Sequence, residues 1–529
     1  MKITIWFFFV VFAVFFCDVV FAQQEEQRAT VHIEHADYME GSERFGKNVQ
    51  ALFGNVRFRH HKTLMHCDSA FFYRDSNKVN AYGSIHIIQN DSINLYGDIL
   101  YYIGNEDKAM VRENVRLVNK NVTLTTEFLD YDRKEDVAYY YNGGKVASGQ
   151  NELVSDWGYY FPRSEEAHFR QNVVVSNPDY KMYSDTLLYY TIPEIIKIVG
   201  PTKIISERNE IYSELGFYDT QKDIAQLELN SSIKGKEQQL DGDTIYYDRN
   251  TGFGEVFSNM FLRDTINHII IGGDYGYYNE LTQEALVTKR AVLMQIQNSD
   301  TLYLHADTLR SDPIDSTEFQ MVRAYHNVKF FRHDLQGRCD SMVYESKDST
   351  NTFYKDPVIW ANNNQMSASI IKFYSRNRAF NKAELIDNAF VIGPEDTTSY
   401  NQIKGRKMTG YIKDNKLYRI DVEGNGQTIY YPKEDGAIIG VNKAEASNLT
   451  ILLEEQQVTG IILRNQPAGN LNPPNLVTKE QSRLNGFRWL DNYRPKEMKD
   501  IFIKQEFEQK NKTDVDFDDF HFDITMPGR

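Results

Sequence analysis

The residues of this 529-residue chain that could most directly do chemistry are a short run of potential metal ligands. His60 and His61 are followed by His66, Cys67 and Asp68, and imidazole and thiolate groups are ligands that zinc accepts. Neighbouring residues of a strand point to opposite faces, however, so His66 and Cys67 cannot converge on one ion. We therefore predict no metal site and no cofactor here.

Paired carboxylates that could act as general acid and base are also present. Glu165 and Glu166 lie in a turn-like stretch, where we expect them to be solvated. Asp241 and Asp243 imitate a metal-binding Asp-x-Asp, but Asp243 occupies a position that recurs along the chain. The sequence contains no nucleophile elbow, phosphate loop, zinc-protease motif or dinucleotide fingerprint. We predict no catalytic residue and a protein that is not an enzyme.

An acidic residue followed four positions later by an aromatic residue recurs through the chain. The acidic positions are Asp68, Asp98, Glu127, Asp156, Asp185, Glu214, Asp243, Asp274 and Asp340, and the aromatic positions include Tyr102, Tyr131, Tyr160, Tyr189, Tyr218 and Tyr247. The first seven acids are spaced by 29 or 30 residues. An active site needs one constellation, whereas a structural device can serve every unit. We therefore predict that the acid bonds turn amides and that the aromatic ring covers the neighbouring unit.

Two further sequence features recur with the same spacing as the acidic and aromatic residues. A turn-like residue precedes an apolar-x-apolar triplet, as in residues 55–58 (NVRF) and 114–117 (NVRL), and a small residue such as Ala81 or Ala109 lies between the blocks. Alternating apolar and polar residues indicate half-buried strands. Each 29-residue unit is therefore predicted to hold about three short strands. Because one unit cannot bury its own apolar face, successive units must stack.

Composition and the N-terminus limit the location and the partners. The net charge of −15 disfavours nucleic acid and anionic membrane surfaces as partners. Residues 3–16 form an apolar run, and Ala22 ends a small-x-small site, so we predict a cleaved export signal. The alternative is a retained anchor, for which the run is short. The remaining cysteines, Cys67 and Cys339, do not make a disulfide scaffold. We expect a periplasmic protein, either free or associated with the outer membrane.

This pattern resembles the OstA-like β-jellyroll, the fold of the periplasmic lipopolysaccharide transport protein LptA and of the N-terminal region of LptD. The resemblance rests on residues 54–58 (GNVRF), 97–102 (GDILYY) and 108–111 (KAMV). It implies an all-β, elongated, open-seamed jellyroll of ~29-residue repeats whose apolar interior carries acyl chains. The chain is longer than a typical LptA and lacks the strands of an LptD-type barrel. Only the periplasmic role is therefore carried over.

The residues and the resemblance together predict four segments. These are a signal peptide (1–22), OstA/LptA-like β-jellyroll repeats (23–348), a looser continuation of the jellyroll (349–464), and a linker, short helical segment and acidic tail (465–529).

The apolar positions of the repeat are the candidate lipid-binding residues. They are Val56, Phe58, Ile85, Ile87, Val115, Leu117, Val122, Leu124, Val173 and Val175. The alternative is that these side chains pack against each other as a closed core. The predicted function is to bind lipopolysaccharide and deliver it to the outer membrane, with LptC-like and LptD-like jellyrolls joined by edge strands. Two alternatives remain open: a scaffold for outer-membrane assembly without a lipid track, and a β-helix acting on polysaccharide, which would need carboxylates clustered on one face.

Overall fold

The computed structural model describes residues 30–504, except residues 42, 43, 45, 91, 298, 299, 315–318, 377, 378, 415, 455 and 456. The predicted signal peptide and the acidic tail from residue 505 onward lie outside the described residues. The chain forms two compact units. The first holds the described part of Met1–Pro178 with Tyr183–Ile192, and the second holds Asp179–Met182 with the described part of Pro193–Arg529.

The first unit is built from antiparallel strands. They are β1 (His32–His35), β2 (Tyr38–Glu40), β3 (Val49–His60), β4 (Thr63–Tyr73), β5 (Lys78–Gln89), β6 (Ile93–Ile103), β7 (Lys108–Asn119), β8 (Val122–Asp132), β9 (Val137–Tyr140), β10 (Gly144–Ser148), β11 (Asn151–Ser155), β12 (Trp157–Phe161), β13 (Glu166–Asn177) and residues 183–190 of β14 (Tyr180–Tyr190). From β3 to β8 each strand pairs with the next in sequence, so the chain runs as consecutive hairpins.

Each long strand of this unit bends near its middle. In β7, Glu113 and Asn114 have positive φ values of 62° and 50°, and the pairing with β8 shifts register across them. Asn tolerates this left-handed conformation, and extra residues of this kind bend a strand. The two arms of each strand therefore lie in different layers. Layer A contains residues 49–53, 69–73, 78–82, 99–103, 108–112, 128–132, 137–140, 157–161 and 166–170. Layer B contains residues 56–60, 63–67, 85–89, 93–97, 115–119, 122–126, 144–148, 151–155 and 173–177.

Side-chain hydrogen bonds between neighbouring strands hold the bends. Asn114 Nδ2 donates to Asp98 Oδ2 at 2.5 Å, and Asn172 Nδ2 donates to Asp156 Oδ2 at 2.7 Å. The same 16-residue spacing joins Ser84 to Asp68, Asn230 to Glu214, Asn259 to Asp243 and Arg290 to Asp274. These six acids bond side chains at the bends, whereas the sequence predicted that they would bond turn amides. Glu127 does bond a backbone amide, because its Oε2 accepts from Asn114 N at 3.4 Å at a bend. Asp340 accepts a hydrogen bond from Ser341 Oγ at 2.6 Å and lies 3.2 Å from Nδ1 of the bend residue His326, and Asp185 is exposed on β14.

The described part of the second unit continues with antiparallel strands and adds three 3₁₀ turns. The strands are β15 (Ile195–Ile198), β16 (Thr202–Ser206), β17 (Glu210–Ser213), β18 (Leu215–Asp219), β19 (Ile224–Lys234), β20 (Gln238–Asp248), β21 (Phe253–Asp264), β22 (Ile269–Asn279), β23 (Ala285–Gln297), β24 (Asp300–Ile314), β25 (Phe319–Arg332), β26 (Leu335–Glu345), β27 (Thr350–Tyr354), β28 (Val358–Ala361), β29 (Asn364–Ser367), β30 (Ile370–Arg376), β31 (Ala379–Pro394), β32 (Tyr400–Lys413), β33 (Lys416–Tyr430), β34 (Lys433–Glu434), β35 (Ala437–Ile438), β36 (Val441–Glu454), β37 (Gln457–Arg464) and β38 (Ala468–Asn472). The 3₁₀ turns are Pro474–Leu476, Asp491–Tyr493 and Met498–Phe502.

The prediction of an all-β fold with a short, partly helical C-terminal segment is confirmed. Strands β3, β5 and β7 begin at residues 49, 78 and 108, which reproduces the repeat of 29 to 30 residues. The predicted three short strands per repeat are wrong, because each of these repeats contains two long bent strands. Polar residues at the bends, such as Asp98 and Asn114, have the composition of turns between strands, although they lie within strands.

In the second unit the arms beyond the bends also form a layer B, which includes residues 328–332, 335–339, 358–361, 364–367, 389–394 and 400–405. A C-terminal strap, residues 477–503, covers the outward face of this layer. Gln402 and Gln365 lie on this face and are each 1% exposed. Gln402 Nε2 donates to Ser482 O at 2.8 Å, and Gln365 Nε2 donates to Arg488 O at 2.8 Å. The strap also brings Leu484 into a buried cluster. That cluster consists of Phe390, Ile392, Ile429, Tyr431, Val441 and Leu484, with Phe487 and Trp489 packed against it.

Candidate lipid-binding interior and its polar seam

Apolar side chains of layer B form an unbroken row in the interior of the first unit. The row is Phe58, Met65, Ile87, Leu95, Leu117, Leu124, Val146, Leu153 and Val175, each a direct cross-strand partner of the next. Neighbouring strands are about 4.8 Å apart, so the row extends over roughly 38 Å. Because successive residues of a strand point to opposite faces, the residues that flank each member of this row along its strand lie on the outward face.

All ten predicted lining residues lie in layer B and are buried. Phe58, Ile87, Leu117, Leu124 and Val175 belong to the row, Val56, Ile85, Val115 and Val173 lie two residues nearer the bends, and Val122 lies beside a hairpin turn. Their exposed fractions are between 0% and 4%. The side chains therefore pack as a closed core.

Layer A supplies a second apolar row that was not singled out from the sequence. It consists of Leu52, Ala70, Ala81, Leu100, Val111, Leu129, Tyr140, Gly158 and Phe169. Its signal is the same alternation in the layer-A arm of each strand, as at residues 109–111. A Cβ at Gly158 would collide with the Tyr140 ring, so glycine makes room for that ring.

The recurring aromatic and small residues form a third row of layer A, at the end farthest from the bends. Its members are Phe72, Val79, Tyr102, Ala109, Tyr131, Ala138, Tyr160 and Ala167. From Tyr102 onward a ring alternates with alanine, because the methyl group leaves space for the ring of the adjacent strand. The covering of the neighbouring unit by each repeat aromatic ring stays a prediction.

The hydroxyl groups of these tyrosines reach the side where the hairpin turns of both layers meet, which we name the seam. There Tyr102, Tyr160 and the next repeat tyrosine, Tyr189, are each hydrogen-bonded to a polar residue of layer B, and we call each such pair a clasp. Tyr131 Oη instead donates to Asp136 Oδ1 of a layer-A turn at 3.0 Å. The clasps are His60–Tyr102 (Nδ1 to Oη, 2.6 Å), Asn119–Tyr160 (Nδ2 to Oη, 2.9 Å) and Asn151–Tyr189 (Nδ2 to Oη, 3.4 Å). Asn209 Nδ2 donates to Tyr247 Oη at 2.9 Å in the same way within the second unit. The clasps close the space between the layers.

Tyr102 also belongs to a charged triad. Arg133 Nη1 donates to Tyr102 Oη at 2.9 Å and to Asp107 Oδ1 at 2.8 Å. Burial raises the pKa of Tyr102 to about 12, so the hydroxyl group keeps its proton at neutral pH. The second unit repeats the triad with Tyr218, Asp223 and Arg249.

The acid of the triad marks a periodic feature that the sequence reading missed. Asp107, Asp136, Glu165, Glu194 and Asp223 each lie five residues after a repeat tyrosine and have φ values between 52° and 60°. They end the layer-A hairpin turns, and Glu165 forms an ion pair with Lys120 of a layer-B turn. The spacing Tyr-x-x-x-x-Asp/Glu would have revealed these seam residues.

The histidine run does not assemble as one metal site. His66 is half-buried on the outward face, whereas Cys67 is buried in the interior. His60, His61 and Asp107 do bring their ligand atoms within 4.8 Å of one another. Arg133, however, lies 2.8 Å from the same Asp107 oxygen, and its positive charge opposes a divalent cation there. Both Cys67 and Cys339 are free and buried.

These repeats match a known family. A family model described as "OstA-like protein" matches residues 28–185 and 206–300, just under half of the chain. The repeats belong to the OstA-like family. The resemblance stated from the sequence is thereby confirmed for the OstA-like repeats.

A solved structure similar to the chain is LptH from Pseudomonas aeruginosa, described as the LptA-homologous periplasmic component of the conserved lipopolysaccharide transport device. It is 12% identical, with coverage of 26% of this chain and 95% of LptH and a TM-score of 0.21. No curated protein matches the chain. Within the described ranges, no helix is long and apolar enough to cross a bilayer.

Proposed function

We propose that this OstA-like chain binds lipopolysaccharide in the periplasm and carries it towards the outer membrane, with the acyl chains held between layers A and B. The observation that carries this proposal is the pair of facing apolar rows in the first unit, which run across nine strands without a charged residue. An amphiphile with several acyl chains needs such a surface, because each methylene group left in water costs about 0.8 kcal/mol.

The seam provides the way in for the acyl chains. A hydrogen bond such as that between Asn119 and Tyr160 contributes about 0.5–1.5 kcal/mol. Burial of ten methylene groups contributes about 8 kcal/mol. One acyl chain therefore outweighs several clasps, and the layers can separate over one or two repeats while the rest stay closed. The saccharide part remains outside, beside the polar turns of the seam.

Strands at the edges of the array offer places for other jellyrolls. Among the described residues, β1 and β2 pair only with β3, and β37 and β38 pair only with β36. Beside β37 and β38, Ile461, Leu463 and Leu471 line an apolar pocket. Unpaired strand edges accept further strands. We propose that LptC-like and LptD-like partners add to these edges.

Depletion of the protein tests the transport role. We expect depleted cells to lose lipopolysaccharide from the cell surface, as measured by surface labelling. Photo-crosslinkers placed at Phe58, Ile87 and Leu117 should form lipopolysaccharide adducts, whereas one at Met110, on the outward face of layer A, should not.

The scaffold without a lipid track remains a second candidate because the interior is closed. Leu117 and Leu124 are both 0% exposed. A scaffold would give no adduct from Leu117 in cells that make normal lipopolysaccharide, and that result would contradict the carrier proposal.

A further inference from the structure

The outward face of layer B in the first unit carries a stripe of cationic and aromatic side chains. The Arg–His stripe consists of Arg57, His66, His86, Tyr96 and Arg116, which are direct cross-strand partners on strands β3 to β7. With strands about 4.8 Å apart, its two arginines lie roughly 19 Å from each other. None of the five positions holds a carboxylate, although the chain has a net charge of −15. The stripe is therefore a positively charged patch on a negatively charged protein.

The middle of the stripe is held in place by stacking. His86 stacks on Tyr96 with ring centroids 4.4 Å apart and an interplanar angle of 13°. The guanidinium carbon of Arg116 lies 4.4 Å from the centroid of the Tyr96 ring. Stacking of this kind orients the guanidinium plane without using its N–H groups. Within the described part of the chain, no carboxylate forms an ion pair with Arg57 or Arg116, and both are exposed.

The nearby carboxylates are engaged elsewhere. Glu34 pairs with Arg59, which lies two residues from Arg57 in β3. At the other end of the stripe, Thr125 is the cross-strand partner of Arg116, and Lys145 is the cross-strand partner of Thr125. Glu152 pairs with this Lys145 at 2.5 Å. The two arginines of the stripe therefore stay available for an anion from outside.

The equivalent face of the second unit shows what such a surface can hold. There Lys329 Nζ donates to Ile503 O of the strap, and the Arg338 guanidinium carbon lies 5.3 Å from the centroid of the Tyr493 ring. The cationic groups of that face are thus covered by the chain itself. In the first unit the corresponding groups are left exposed.

We propose that the Arg–His stripe binds the phosphorylated saccharide part of the lipid whose acyl chains occupy the interior of the same unit, so the choice of ligand rests on the proposed function. A guanidinium group recognises phosphate through two parallel charge-assisted hydrogen bonds. Two such groups roughly 19 Å apart suit a saccharide that carries more than one phosphate. Between them, the His66 imidazole and the Tyr96 hydroxyl group offer hydrogen bonds to sugar hydroxyl groups, whereas His86 Nε2 is bonded to Asn94 Oδ1 at 2.9 Å.

The position of the stripe relative to the seam supports this ligand. His60, which forms the clasp with Tyr102, lies three residues from Arg57 along β3. Three strand residues span about 10 Å. A saccharide that leaves the seam can therefore extend over the outer edge of layer B and reach the stripe.

Calorimetric titration of the purified chain tests the stripe. The probe is the phosphorylated saccharide obtained by removing all acyl chains from lipopolysaccharide, and the comparison probe is the same saccharide after phosphatase treatment. We expect the dephosphorylated saccharide to bind at least tenfold more weakly. The double variant Arg57→Ala/Arg116→Ala should also weaken binding of the phosphorylated probe at least tenfold. Arg170→Ala, which removes an exposed arginine of β13, should leave binding within twofold.

Binding that is absent in the unaltered chain, indifferent to phosphatase, or equal in the double variant would overturn the inference. Binding of an acidic peptide but not of the saccharide would do the same and would make the stripe a protein-docking face. A photo-crosslinker at Leu117 distinguishes failure of the stripe inference from failure of the proposed function, because it reports lipid in the interior and not saccharide on the stripe. Adducts without saccharide binding would leave the carrier role intact, whereas saccharide binding without adducts would leave only the stripe.

Discussion

The outward face of layer B differs between the two units in what covers it. In the second unit the strap lies on this face, and Gln365 makes two of its hydrogen bonds: it donates to Arg488 O at 2.8 Å and accepts from Leu490 N at 2.7 Å. In the first unit the same face presents Arg57 and Arg116 to solvent. The repeat thus fixes the interior, because the inward positions must stay apolar, while the outward positions can change. We infer that the covered face is structural and that the uncovered face is the one available to a ligand.

The largest effect is expected from a charge placed in the interior of the first unit. Leu117→Asp puts an unpaired carboxylate at a position that is 0% exposed, and we expect the first unit to lose at least about 4 kcal/mol of unfolding free energy. Urea unfolding followed by circular dichroism measures the loss. Thr125→Asp, on the outward face of the next strand, is the control and should cost less than about 1 kcal/mol. Equal effects of the two variants would contradict the assignment of inward and outward faces.

Loss of a strap anchor should have the next largest effect and should be confined to the second unit. Gln365→Ala removes two hydrogen bonds and leaves buried backbone groups of the strap without partners, which costs about 1–3 kcal/mol. Hydrogen exchange should rise in the strap and in β28–β32, with β3–β8 unchanged. The exposed neighbour Asn364→Ala should change neither region. An increase in hydrogen exchange limited to the first unit would contradict the claim that the strap stabilises the outward face of the second unit.

Removal of one clasp should have a smaller effect. Tyr160→Phe deletes the hydroxyl group that accepts from Asn119 Nδ2 at 2.9 Å, and we expect a loss of about 1 kcal/mol. The half-buried neighbour Tyr159→Phe is the matched control, because Tyr159 points to the outward face. Hydrogen exchange at the turns around residues 120 and 163 should increase only in Tyr160→Phe. An identical increase in both variants would mean that the hydroxyl group does not hold the seam.

The smallest effect concerns high pH. Burial raises the pKa of Tyr102 from 10.0 to about 12. Because this folded-state pKa lies above the unfolded value, the associated stability is complete below pH 10.0 and is lost as the pH rises through about 12. Part of the absorbance change of tyrosine ionisation should therefore occur at higher pH in the folded protein than in the unfolded protein. Tyr102→Phe should reduce this high-pH part. A variant that titrates like the unaltered chain would show that Tyr102 is not protected.

Much of the interior could be predicted from the sequence, because alternation and a fixed repeat follow directly from strand geometry. The ten lining residues, from Val56 to Val175, were found because each belongs to an apolar-x-apolar triplet. The number of strands was not predictable in the same way. Asp98 and Asn114 combine turn composition with a place inside a bent strand, and only their hydrogen bond across two strands distinguishes a bend from a turn.

The seam and the stripe depend on contacts that local patterns do not encode. His60 and Tyr102 are 42 residues apart in the sequence. They meet because His60 lies at the seam end of a layer-B strand segment and Tyr102 lies at the seam end of a layer-A segment. Arg57 and Arg116 fall in one line because five strands share a register. The periodic acid five residues after each tyrosine was visible in the sequence, but its place at the seam was not.

The most direct measurement concerns the separation of layers A and B. Lys120→Cys and Glu165→Cys place thiols at an ion pair that spans the seam, and a short bismaleimide can join them, since burial keeps Cys67 from competing and raises its pKa to about 12. A photo-crosslinker at Leu117 of the purified protein then reports contact with added lipopolysaccharide. We predict abundant adducts in the open protein and in each single-cysteine variant, and their loss once the seam is joined. Adducts that persist in the joined protein, or that never form in the open one, would contradict a lipid track between the layers.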